Sequence, residues 1–138
     1  MAKVYRWSGS EWIQLGADFQ GDAEADQLSV VNLSGDGNVL AVGAHYSEAN
    51  GEDSGLVRVY SWDGSSWTQR GSDFVGISKD WASYNALNKD GTVLAHAGPW
   101  NNGGGRTDSG ITRVYKWSGT VWEQKGAEIL GATEGDTL

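Results

Sequence analysis

His45 and His96 are the only imidazoles in this chain, so any imidazole-based proton transfer, nucleophile activation or metal ligation has to pass through them. They do not occupy matching places. His96 falls in an apolar run where the corresponding earlier residue is Val42, and His45 corresponds to Pro99. Neither has a partner at ligand spacing, and a strand histidine satisfied by its neighbours accounts for both better than a metal ligand or a base does. Serine is plentiful, yet two unrelated histidines leave a Ser-His-Asp arrangement little to draw on. The chain has no Cys, which removes disulfide scaffolds and Cys-ligated zinc or iron–sulfur sites.

The carboxylates follow a pattern of their own. Asp18, Asp22, Glu24 and Asp26 cluster, and only Asp26 recurs strictly, as Asp80 and Asp136. An Asp recurring before a strand is suited to capping a turn by accepting backbone N–H bonds. Asp53 and Asp108 recur before Ser-Gly and read the same way. A paired-carboxylate glycosidase needs one unique pair in one cleft. These acids repeat instead, and no enzyme is expected.

The strongest binding candidates are three tryptophan pairs, Trp7 with Trp12, Trp62 with Trp67, and Trp117 with Trp122. Exposed on rigid hairpins, such rings could stack on sugars and make a lectin-like module. Their strict recurrence favours the alternative, that they fill the space between neighbouring units.

The elements that carry these residues are repeated. Val4-Tyr5-Arg6-Trp7 returns as Val59-Tyr60-Ser61-Trp62 and as Val114-Tyr115-Lys116-Trp117, at a step of 55 residues (59 − 4 and 114 − 59). A fixed period of this size marks a repeat architecture in which no unit buries its own core. One unit reads as four short strands. The first is Leu28–Leu33, answered by Ala82–Leu87; the second is Val39–Ala44, answered by Val93–Gly98, and is apolar enough to be covered on both faces. Asp36-Gly37 and Asp90-Gly91 mark the tight turns between them. Longer loops follow, Tyr46 to Ser54 and Trp100 to Ser109, the latter carrying Asn101-Asn102-Gly103-Gly104-Gly105. The third and fourth strands, Leu56–Trp62 and Trp67–Arg70, place Trp62 opposite Trp67 on the face of Tyr60 and Arg58.

Four antiparallel strands per unit make the expected fold class all-β, with four-stranded antiparallel blades of a β-propeller in about two and a half repeats of ~55 residues. The expected division of 1–138 is a half blade at 1–21, full blades at 22–76 and 77–131, and a stub of the next blade at 132–138. Two and a half blades cannot close a ring. The chain is expected to be a piece of a longer propeller, to complete a ring by self-association, or to form a stand-alone sandwich.

The formal charge of −8 argues against nucleic acid or an anionic membrane as partner. No run approaches the ~20 apolar residues of a membrane span, so no membrane insertion is expected.

Leu33-Ser34-Gly35-Asp36-Gly37-Asn38, continuing through Val39-Leu40-Ala41-Val42-Gly43-Ala44-His45, resembles the core of the FG-GAP repeat of integrin-alpha-type propellers. The Gly-Ser-x-x-Trp hairpin with its Val-Tyr-x-Trp lead resembles a subset of FG-GAP-like repeats common in large secreted or surface proteins. The resemblance implies a propeller and an extracellular or cell-surface setting. No cofactor is expected, calcium in the turns of Asp36 and Asp90, the only metal candidates, being the one exception the resemblance offers. Each turn keeps a single carboxylate where a hard cation wants 6–8 oxygens. Gly-Ala-Pro appears as Gly43-Ala44-His45 and Ala97-Gly98-Pro99, and Phe-Gly is replaced by Gln27-Leu28 and Trp81-Ala82. The function expected is a non-enzymatic binding or adhesion scaffold, contacting protein or glycan through loops 46–54 and 100–109. The rivals are a self-assembling structural repeat protein and an accessory fragment of a larger secreted enzyme.

Overall fold

Each Tyr-x-Trp segment forms a strand that turns back on itself at the following Gly. A computed structural model describes residues 1–102 and 104–138; Gly103, within the Gly-rich stretch of the second long loop, lies outside the described residues. The first sheet is the hairpin of β1 (Tyr5–Trp7) and β2 (Trp12–Gln14). The second holds β3 (Leu28–Leu33), β4 (Val39–Ala44), β5 (Leu56–Trp62), β6 (Trp67–Gln69) and β7 (Phe74–Val75). The third holds β8 (Tyr84–Leu87), β9 (Val93–Gly98), β10 (Ile111–Trp117), β11 (Trp122–Gln124) and β12 (Ile129–Leu130). Every strand pairing is antiparallel, no sheet closes on itself, and no α-helix occurs among the described residues.

Neighbouring strands in sequence are neighbours in space, in the order β3-β4-β5-β6 and again β8-β9-β10-β11. The Asp-Gly turns set the register. Asp36 Oδ1 accepts from Ser34 Oγ at 2.6 Å and from Asn38 N at 3.0 Å, while Ser34 N donates to Val39 O at 2.8 Å. At the corresponding tip Asp90 accepts from Thr92 N at 3.0 Å.

Two details differ from the sequence expectation. β8 begins at Tyr84 rather than Ala82, because Ala82 N donates to Ser54 O of the neighbouring sheet and Ser83 is buried against it. The fourth strand is broken in two. β6 and β7 both pair with β5, Gln69 opposite Tyr60 and Phe74 opposite Val57. The outer strand therefore spends two more residues than its partner between these points, a bulge centred on Gly71 (φ +83°). The same bulge lies at Gly16, between Tyr5↔Gln14 and Ala2↔Phe19, and at Gly126, between Tyr115↔Gln124 and Thr112↔Ile129.

The core lies between sheets. Leu40 and Val42 of β4 pack with Val4, Leu15 and Phe19 of the first hairpin. On the opposite side Val39, Ala41, Val57 and Val59 pack with Leu94 of the third sheet. The middle sheet is thus covered twice, and all six residues of β4 are buried. In β9, with one neighbour, only Leu94, His96 and Gly98 are buried, so the two-faced cover expected of both strands holds for β4 alone. Glycine permits this spacing: a Cβ on Gly43 would stand 2.1 Å from Ser83 O.

Candidate functional site

Six of the eight tryptophans belong to the recurring pairs, and their cross-strand partnership is as read: Trp7↔Trp12, Trp62↔Trp67 and Trp117↔Trp122, with ring centroids 5.3–5.4 Å apart. Four of these rings are spent between sheets. Trp67 Nε1 donates to Leu15 O at 2.9 Å and Trp122 Nε1 donates to Arg70 O at 2.8 Å, each reaching the bulge of the preceding unit. Phe19 lies against Tyr60 and Trp67, and Phe74 against Tyr115 and Trp122. Arg70 sits over Trp117 at 4.8 Å and Trp122 at 5.4 Å. Trp7 and Trp12 meet no other sheet in this way among the described residues and are exposed, at 51% and 66%.

The recurring acids hold turns. Asp26 accepts from the backbone N–H of Asp22 and Ala23, Asp80 from that of Ile77, and Asp136 from that of Thr133. Asp80 also accepts from Asn101 Nδ2 at 2.8 Å, which ties one end of the second long loop into the interior. Asp53 and Asp108 adopt left-handed backbone, at φ +50° and +49°. The metal candidates do not come together with further ligands. Hydrogen bonds from Ser34 and Asn38 hold the Asp36 carboxyl below the usual range, and those from Thr92 and Asn88 do the same for Asp90. Both carboxylates are engaged by their own turns, and among the described residues no three His, Asp or Glu side chains gather as a metal site. These turns do not fit calcium.

His96 is buried against Phe74 and donates from Nε2 to Ala82 O at 2.9 Å; burial pushes its pKa down. His45 is different. It stands at the end of β4, half-buried, its Nδ1 at 3.0 Å from Ser29 Oγ and also hydrogen-bonded with Ser83 Oγ. Burial lowers its pKa too, so the ring is neutral at pH 7. A serine beside an imidazole invites a nucleophilic reading. Ser83 has no exposed surface, however, and among the described residues no carboxylate orients His45, so the pair lacks substrate access and a third member.

His45 instead opens an aromatic cluster along the long-loop end of the sheets. Its ring lies 5.0 Å from Tyr84 and 6.2 Å from Trp81; Tyr46 meets Trp81 at 5.6 Å and Trp81 meets Trp100 at 5.9 Å, both edge-on. These rings come from three places: the end of β4, the entry to β8, and the loop after β9. Trp81 is held in left-handed backbone (φ +50°), its N–H donating to Asp53 O at 3.1 Å. Tyr84 and Trp100 are exposed, at 44% and 41%, and line an open groove of about 410 Å³ with Ala97, Pro99, Thr137 and Leu138. A neutral imidazole, exposed rings and a groove suit stacking on an uncharged ring with polar edges.

Sequence reasoning passed over this cluster because it weighed aromatics by recurrence. Trp81 and Trp100 stand where the preceding unit has Gln27 and Tyr46. They are the two tryptophans that break the repeat, which was the available signal. No family model, curated protein or solved structure matches this chain.

Proposed function

We propose that this chain is a non-enzymatic binding scaffold, a section of an FG-GAP-like β-propeller that contacts glycan through its long-loop rim. The stacked sheets with a common strand order support the propeller reading, each unit lending its bulge to the next. The observation that carries the binding role is the run Tyr46–Trp81–Trp100 beside Tyr84 and its groove. Loops displayed on a rigid repeat are where such scaffolds place recognition. The rim, rather than the hairpin pairs, is the surface on which sugar would stack, since four hairpin rings are committed to inter-sheet contacts.

The test is a glycan array probed with the wild-type chain and with Trp100→Ala. Binding that falls at least tenfold in the variant, with thermal unfolding unchanged, supports the reading. An array without binders, or binding indifferent to Trp100, overturns it, and turnover of a glycan by the wild type would restore the enzyme alternative.

A further inference from the structure

The two ends of the stack carry the two halves of a contact the chain makes twice inside itself. Internally, Gly16 lies under Trp67 and Trp62, so that an added Cβ would stand 2.9 Å from Trp67 Cδ1 and 3.2 Å from the Trp62 ring. Gly71 lies likewise under Trp122 and Trp117, at 2.6 and 3.1 Å. The third bulge, at Gly126, has nothing within 4 Å. At the other end Trp7 and Trp12 form a pair of the same geometry, with no bulge beneath them among the described residues.

The further members of the contact are also present, and among the described residues they meet no counterpart from another sheet. Ile129 follows the Gly126 bulge as Phe19 and Phe74 follow theirs, and it is 51% exposed where both phenylalanines are buried. Tyr5 is 45% exposed, whereas Tyr60 and Tyr115 lie against those phenylalanines. Lys125 stands in the place of Arg70, the cation that covers Trp117 and Trp122, and its side chain is free to cover Trp7 and Trp12 in the same way.

We propose that the Trp7–Trp12 hairpin of one chain docks on the Gly126 bulge of a second copy of the same chain, head to tail. Trp12 Nε1 then donates to the second copy's Lys125 carbonyl, Tyr5 and Trp12 close over its Ile129, and its Lys125 ammonium faces the two indoles. The occupant is a second copy because one chain carries both surfaces in the register that already joins its own units. Such a contact is heterologous, so each chain keeps one surface of each kind free and assembly continues until a ring closes or a filament grows. The docked hairpin covers the side of the third sheet formed by β10, β11 and β12. The groove at Tyr84 and Trp100 opens on the same face, at its β8 and β9 edge, because Tyr84, Ala97, Thr112 and Ile129 pair in one row; Trp100→Ala and Ile129→Glu test the two readings at separate residues.

Sedimentation of three proteins tests it. The wild type is expected to exceed its 14.8 kDa chain mass and to grow with concentration. Trp12→Glu removes the hairpin surface and Ile129→Glu removes the seat, and each alone is expected to stay monomeric. Their equimolar mixture should form a species of twice the chain mass and nothing larger, since one variant keeps the seat and the other keeps the hairpin. Tyr5→Glu replaces Trp12→Glu if circular dichroism shows the latter unfolded. A wild type that stays monomeric up to about 1 mM overturns the proposal. So does a single variant that still dimerises, which would mean like faces pairing, or a mixture that stays monomeric.

Discussion

The indole N–H of Trp67 donates to the carbonyl of Leu15 across 2.9 Å, joining two units through a backbone group instead of a side chain. Trp122 repeats the bond onto Arg70 O at 2.8 Å. Replacing either indole by phenylalanine removes the donor and leaves the carbonyl unpaired. We expect Trp67→Phe and Trp122→Phe each to cost roughly 1–3 kcal/mol in urea unfolding, and Trp12→Phe to cost close to nothing in dilute solution. Equal losses at all three positions would contradict the inter-unit role.

Gly43 is required for a steric reason. Its backbone passes so close to Ser83 that a methyl group would meet the carbonyl oxygen at 2.1 Å. Gly43→Ala should force the second and third sheets apart and cost about 3 kcal/mol. Gly43→Ala unfolding at the wild-type urea midpoint would mean that the sheets are not packed as described.

Arg58 clamps two acids at once. Its guanidinium donates to both oxygens of Asp73 at 2.8–3.1 Å and to both of Asp22 at 2.6–2.7 Å, and these bonds raise its pKa beyond the ordinary arginine value. Lysine cannot reproduce the fork. Arg58→Lys is expected to cost about 1 kcal/mol and Arg58→Met slightly more, with the difference shrinking in high salt. A variant series insensitive to salt would argue against the clamp.

Acid should unfold the protein in two stages. His96 and His45 are both depressed below the ordinary 6.5 by burial, so the unfolded chain binds protons that the folded chain refuses. Their contribution is complete above about pH 6.5 and is lost as pH falls through the folded values. The Asp36, Asp63, Asp90 and Asp136 carboxyls are held below the usual 3.8 by hydrogen bonds within their turns. They add stability above that pH, which disappears as pH falls further. Urea midpoints measured from pH 8 to pH 2 should show both declines, with His96→Gln flattening the upper one and Asp63→Asn easing the lower. A stability curve flat between pH 7 and 5 would rule out the histidine stage.

Much of this architecture could be read from the chain because its signals are local. The Asp36-Gly37 turn, the Trp62–Trp67 pairing and the capping by Asp26 and Asp80 each depend on residues a few positions apart. What escaped depends on distance or on departure from the repeat. Phe19 and Phe74 recur plainly, but their place under the next unit's Tyr60 and Tyr115 is settled only when sheets stack. The bulges at Gly16, Gly71 and Gly126 looked like strand ends because φ is invisible in a string of letters. The rim cluster of Trp81 and Trp100 was missed because copies were weighed above exceptions.

The residue whose carbonyl receives the indole is Leu15 in one unit and Arg70 in the next, an aliphatic and a cation, and Lys125 stands at the matching place after them. A main-chain oxygen is the same whatever side chain it accompanies, so this link tolerates wide drift in the amino acid that supplies it. Units joined in this way can be duplicated, exchanged or appended without each new neighbour having to evolve a matching surface.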